Sequence, residues 1–185
     1  MNSKDTLTRN YIFEAYYELL KKQAYQDINV CDICTKAGVS RMSFYRNFKS
    51  KDDLTQKAIE RIISNLKQSL KKCEPLNQFN VTKEIFTAAL KYKDAFKSLD
   101  ETNIVKDFIN CVSEKIFSFT PEDKINPSKQ YTPIFYFSAI SGVLVFWIHN
   151  GAKETPEEMA KGICSIASFP IFDELNLDCL DKIKH

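Results

Sequence analysis

Apolar residues recur at steps of three and four along most of this 185-residue chain, which is the spacing of one face of an α-helix. Ile12, Ala15, Tyr16, Leu19 and Leu20 predict an amphipathic helix over about residues 5–23. Asn29 then offers an N-cap for a short helix with Val30, Ile33, Cys34 and Ala37 on its inner face. Gly38 supplies the backbone freedom of a tight turn, and Ser40 caps a second short helix carrying Phe44, Tyr45 and Phe48. Ser50-Lys51-Asp52-Asp53 reads as a cap followed by an acidic first turn. From it a long helix is predicted to about Lys72, with Leu54, Ala58, Ile62, Leu66 and Leu70 at a constant four-residue step.

The pattern breaks at Glu74-Pro75-Leu76-Asn77, which marks a boundary between modules. Helical periodicity resumes at about 81–97, 101–119 and 133–149, with Pro121 and Pro127 punctuating a loop before the last of these. Thr155-Pro156-Glu157-Glu158 combines a hydroxyl cap, a proline at the first position and a glutamate at the third. It predicts a helix over about 156–168, ended by Pro170. The reading is all-α. It places a three-helix N-terminal module at 1–51, a linking helix at 51–72 and a second helical domain at 73–185.

Composition narrows the chemistry. The four glycines, Gly38, Gly142, Gly151 and Gly162, are too scattered for a dinucleotide or phosphate loop. The two histidines, His149 and His185, allow no zinc-protease pair and no evident Ser-His-Asp set, so no catalytic residue, metal ligand or cofactor is expected. His149 reads as a helix-end histidine. Cys31 and Cys34 form a C-x-x-C, but no second ligand pair follows at zinc-ribbon spacing. They read as small residues of a helix, in reduced form, since the N-terminus has no apolar signal core and a cytoplasmic location is expected. The uncharged stretch from Tyr131 to Gly151 has an apolar core too short for a bilayer and reads as a buried or partner-facing helix.

Charge changes the picture more. The whole chain is only +2, yet residues 1–51 carry nine basic and five acidic side chains, and the rest is mildly acidic. A basic head on an acidic body is the asymmetry of an anion-binding module. Residues 29–51, NVCDICTKAGVSRMSFYRNFKSK, join that bias to a helix, a glycine turn and a second helix. This is the layout of a helix-turn-helix, in which the first helix braces the second for insertion into the DNA major groove. Phe44 and Phe48 would face inward. Arg41, Met42 and Ser43 would lead into the groove, where Arg pairs with guanine, Ser with either base edge and Met with a thymine methyl. Tyr45, Lys49 and Lys51 suit phosphates, which set affinity and register.

The stretch AGVSRMSFYRNFKSKDDL, residues 37–54, resembles the signature of TetR-type transcriptional regulators. The resemblance covers about the first 70 residues. It implies phosphate contacts for Tyr45, Lys51 and Asn29, and base reading by Arg41, Met42 and Ser43, with Arg46 beside them. Position 30 is Val, whose side chain donates no hydrogen bond, and Cys34 stands where the family often has Ala. The later run SAISGVLVFWIHNGAKETPEEMA is similar to a subgroup of which some members answer to a kinase-like protein subunit. The family also implies a homodimer through helices 133–149 and 156–168, and hence a roughly palindromic double-stranded operator. Independently, a helix without charge from Ile134 to Ile148 must bury most of its circumference. Aromatic residues of the body, among them Phe96, Phe108, Tyr131, Phe135 and Trp147, are candidates to line an effector cavity. The expected function is a repressor released by a small molecule, with control by a protein partner as the alternative.

Overall fold

The computed structural model describes residues 3–99 and 127–167. Among them are eight α-helices and no strand. They are α1 (Ser3–Leu20), α2 (Val30–Ala37), α3 (Arg41–Asn47), α4 (Lys51–Lys71), α5 (Gln78–Lys91), α6 (Lys93–Leu99), α7 (Pro127–His149) and α8 (Pro156–Ile166). A 3-10 turn, Tyr25–Asp27, lies between α1 and α2. Among the described residues no helix is long and apolar enough to cross a membrane.

Local chemistry sets most helix ends. The Asn29 side chain accepts from the amides of Cys31 and Asp32, and the Asp32 carboxylate accepts from the Asn29 amide, closing a capping box on α2. Gly38 stops α2 in the left-handed region, at φ 66°, where a side chain would be strained. Thr155 and Glu158 form a second capping box on α8, with Pro156 in the first turn.

Several ends differ from the periodicity. The α1 ladder ends at Leu20, where the Lys22 amide turns to the nearer Leu19 carbonyl. The segment expected at 81–97 is two helices. It starts early because Asn77 caps it through the Asn80 amide, and it breaks at Tyr92, whose ψ of 18° leaves the helical range. Pro127 opens α7 rather than belonging to a preceding loop, and Pro133 falls within the helix. The helix α8 ends at Ile166. The helix expected at 101–119 and the stop at Pro170 lie outside the described residues.

Two compact units divide the chain. The first contains α1 to α3, α4 as far as Ile62, and α6 from Asp94 onward. Its core is Ile12, Phe13, Tyr16, Ile28, Ile33, Phe44, Phe48 and Leu54. The Tyr16 and Thr55 hydroxyls, both buried, bond at 2.6 Å, and the Tyr17 hydroxyl donates to the Ala58 carbonyl at 3.2 Å. These bonds tie α1 to α4. The Ser98 hydroxyl donates to the Gln23 carbonyl and holds α6 to the end of α1. The second unit contains the remainder of α4 with α5, α7 and α8. There Phe86 and Trp147 meet edge to face at 5.2 Å, and the Thr82 and Tyr136 hydroxyls bond at 2.7 Å. Helix α8 packs on α5, and Lys83 reaches Glu157 across them at 3.5 Å.

The α3–α4 corner is fixed by one carboxylate. Asp53 accepts from the Lys49 amide at 2.7 Å and from the Lys57 ammonium at 2.8 Å. The Lys57 bond comes first, and the Lys49 amide after it, in holding the Asp53 carboxyl below the usual carboxylate range.

Two stability outcomes follow from these bonds. Thr55→Val removes the partner of a buried hydroxyl and should cost about 1–3 kcal/mol in urea unfolding. Adding Tyr16→Phe should recover part of that loss, because no polar group is then left unmatched. Asp53 has a folded pKa below its unfolded one, so its contribution is complete above the unfolded value and is lost as pH falls through the folded value. The melting-temperature gap between wild type and Asp53→Asn should therefore be widest near neutrality and close below about pH 4.

Candidate nucleic-acid interface

Helix α3 has seven residues and presents two faces. Phe44 and Phe48 are fully buried, with ring centroids 5.6 Å apart, and Phe13 of α1 meets Phe48 edge to face at 5.3 Å. Arg41, Met42, Tyr45, Arg46 and Lys49 lie on the opposite side and are exposed, Met42 by 67%. The steps of one and three put the four helical ones on one stripe, and Lys49 follows just past the helix end. The sequence-predicted reading residues are thus brought together, with three differences of detail.

Ser43 is half-buried, and its hydroxyl lies 3.0 Å from that of Ser40, whose Oγ also accepts from the Ser43 amide. It serves the cap of α3 as well as the leading end. Met42 accepts a long bond from the Arg46 guanidinium, at 3.5 Å to sulfur. Asn29 is exposed, but its carbonyl oxygen is engaged by the capping box, which leaves its amide nitrogen for an outside acceptor.

Lys51 is the most constrained. Its ammonium donates to the Tyr25 and Ile28 carbonyls, both at 2.7 Å, and sits 4.0 Å from the Tyr25 ring centroid. The Tyr25 hydroxyl donates to Asp52. Burial first, and the Asp52 carboxylate second, push the Tyr25 hydroxyl up to about 12.

Sequence reasoning passed over two cations beside α3. Arg9 lies 5.6 Å and Lys57 5.5 Å from the Phe48 ring centroid, adding cation–π contacts to the anchor. Arg9 stands one turn before Phe13, so a shared face with the Phe13–Phe48 pair is the signal that was available. The Cys31 and Cys34 side chains differ: Cys31 is exposed and Cys34 is buried, its thiol pushed up by that burial.

The effector candidates are distributed. Phe96 is buried in the first unit, and Trp147 is buried in the second against Phe86. Tyr131 and Phe135 are exposed on α7. Phe108 lies outside the described residues. His149 is exposed in the last turn of α7.

Residues 12–58 match the family model of bacterial regulatory proteins of the tetR family, and residues 77–168 match that of a transcriptional regulator C-terminal region. The HTH-type transcriptional regulator YxbF of Bacillus subtilis is 23% identical over 164 residues, which are 83% of this chain and 43% of YxbF. The chain therefore spans less than half the length of that relative. Among solved structures, the dihydroxyacetone kinase operon activator DhaS superposes with a TM-score of 0.62 at 17% identity, over 86% of this chain and 93% of DhaS. A tetR-family regulator from Streptomyces coelicolor gives 0.64 at 15% identity, over 89% and 81% of the two chains. NalD, the secondary repressor of the MexAB-OprM multidrug efflux pump in Pseudomonas aeruginosa, gives 0.57 at 17% identity, over 89% and 95%. With an N-terminal helix-turn-helix and a helical C-terminal region each matched along their length, the chain belongs to the TetR family of transcriptional regulators.

Proposed function

We propose that this regulator is a homodimeric repressor that reads a roughly palindromic operator with α3 and is released by a small-molecule effector. The observation that carries the DNA reading is the exposed stripe of Arg41, Met42, Tyr45 and Arg46 on α3, set opposite the Phe44–Phe48 anchor, with Lys49 exposed just past the helix end. Arg41 at the leading end suits bidentate pairing with guanine, beside Met42 and Ser43, with Arg46 one turn later. Tyr45, Lys49 and the free amide of Asn29 suit phosphates around them.

The dimer reading rests on α7. Apart from His149 in its last turn, the exposed side chains among those described on it are Tyr131, Ile134, Phe135, Ser138, Ala139, Gly142, Val143 and Phe146, a continuous stripe at steps of three and one. None carries a charge, and Phe146 is 71% exposed. A stripe of this kind on a water-exposed helix marks an association surface. A twofold pairing there would set two recognition helices about one DNA turn apart, roughly 34–36 Å.

Control would pass along α4, whose residues belong to both compact units. A shift of this helix on effector binding would alter the spacing of the two recognition helices. NalD, described as a repressor, supports this sign of regulation. A second reading, an activator answering to a protein partner, draws support from DhaS, described as an operon activator, and from Ile166, which is 85% exposed at the end of α8.

Selection of duplexes from a random pool by the full-length protein tests the DNA reading. Arg41→Ala should cost about 1–3 kcal/mol on the selected operator and relax preference at one base pair per half-site. Tyr45→Phe should instead weaken operator and random duplex alike. Equal losses from both variants on both duplexes would remove Arg41 from base reading. Transcription in vitro from a promoter carrying the operator should fall as protein is added, and a rise would turn the assignment to an activator. For the dimer, Phe146→Glu buries a charge in the proposed interface, and sedimentation should shift from dimer to monomer at micromolar protein. An unshifted dimer would place the interface elsewhere.

A further inference from the structure

Among the described residues two sulfur-bearing side chains are exposed, Cys31 and Met42, and both belong to the helix pair α2–α3. Met159 of α8 is half-buried by comparison. Met42 is 67% exposed in the first turn of α3, within the stripe that Arg41, Tyr45 and Arg46 share. Its sulfur is in contact with another member of that stripe. The Arg46 guanidinium, one turn later, donates to it at 3.5 Å. A thioether is a weak acceptor, so this bond yields Arg46 readily to a base edge. The rest of the Met42 side chain is apolar, which suits a thymine methyl.

Both properties reverse in the sulfoxide. Oxidation turns a flexible apolar side chain into a polar, chiral one. The new oxygen is a strong acceptor attached to the same atom that Arg46 already approaches, and a bond to it from guanidinium is charge-assisted. Arg46 would then be held along the helix rather than released into the groove. The apolar contact would be lost at the same place.

We infer that Met42 is an oxidation site within the recognition helix, whose sulfoxide lowers operator discrimination by capturing Arg46. This rests on the reading of α3 as the base-reading helix. The oxidant is a hydroperoxide. The sulfur lone pair attacks its hydroxyl oxygen, the S–O bond forms as the O–O bond breaks, and the departing oxygen takes the hydroxyl proton and leaves as water or an alcohol. Sulfur is oxidised by two electrons and the peroxide is reduced by two. Reversal falls to methionine sulfoxide reductases, one enzyme for each sulfoxide epimer.

The test treats the full chain with hydrogen peroxide until peptide mass spectrometry shows one added oxygen on Met42. Affinity is then measured for the operator that the untreated protein selects and for a random duplex. The operator-to-random ratio should fall about tenfold, the scale of one lost base contact. The fall should persist in dithiothreitol, which returns disulfides and sulfenic acids to thiols, and the two reductases together should reverse it. In Met42→Leu the ratio, whatever its starting value, should be the same before and after peroxide. In Arg46→Ala the fall should shrink to about threefold, because only the apolar contact is left to lose. An undiminished fall in Arg46→Ala would overturn the capture. A ratio unchanged at full oxidation of Met42 would overturn the proposal as a whole. So would a fall that dithiothreitol reverses, which assigns the effect to a thiol such as Cys31, or an equal fall in Met42→Leu. Oxidation of Met159 with Met42 left intact would remove the site itself. An untreated protein that enriches no sequence from the pool would overturn the reading of α3, and is seen before any oxidant is added.

Discussion

The burial of Phe44 and Phe48 is the constraint on which the interface depends. A helix of seven residues has no stability of its own, since isolated helices shorter than about 12–15 residues are marginal in water. What holds α3 is the pair of phenyl rings on its inner face, the edge of Phe13 against Phe48, and the Ser40 cap at its start. The cations of Arg9 and Lys57 lie near the same ring. Once these are placed, the outward direction of positions 41, 42, 45 and 46 follows from helical geometry alone. The residues that would read DNA are thus aimed by aromatic rings buried behind them.

Helix α4 extends this logic over the first unit. The Tyr16 and Thr55 hydroxyls and the Tyr17 bond to the Ala58 carbonyl fasten it to α1. Lys51 and Asp52 fasten it to the turn before α2, and Asp53 with Lys57 fastens it to the end of α3. Each of the three helices ahead of α4 is therefore referenced to the same twelve-residue stretch, Lys51–Ile62, that falls within the first unit. Directional polar bonds of this kind specify geometry more than they add stability. That suits a module whose product is a pose.

Features written in neighbouring residues were legible in the sequence. The Asn29 cap, the Thr155 cap with Glu158, the Gly38 turn and the Ser40 cap each need only four or five consecutive positions, and the amphipathic stripe of α3 needs one periodicity. Asn77 was legible in principle as a cap, but a proline-containing break around it read as linker, so α5 begins earlier than its periodicity indicated. The division at Tyr92 has no glycine or proline to announce it. Lys51 was legible as a basic residue near α3. Its attachment to backbone 23 and 26 residues upstream was not, because a carbonyl acceptor is the same in every residue and leaves no mark in the sequence. The reading of Tyr131 and Phe135 as cavity residues met the same difficulty in another form. A helix apolar on every side does not say which side is inner.

The structure separates those sides. Tyr136, Phe137, Ile140, Leu144, Trp147 and Ile148 are buried, while the stripe from Tyr131 to Phe146 faces out. Within that outer stripe the residue sizes are ordered, with Tyr131, Ile134 and Phe135 at one end, Ser138, Ala139 and Gly142 in the middle, and Val143 and Phe146 at the other. Glycine inside a helix costs roughly 0.5–1 kcal/mol against alanine. Among the described residues nothing lies within 4 Å of where a Gly142 Cβ would stand, so packing within the chain does not explain the choice. Small residues at the centre with large apolar ones at both ends fit a second helix crossing closely at mid-length and covered by the rings beyond the crossing. Such a surface would be completed by its own copy under twofold symmetry, since each large end then meets the other. The same helix carries Trp147 and Tyr136 on its inner side, so whatever repacks the inside of the second unit would act on the helix proposed to pair two chains.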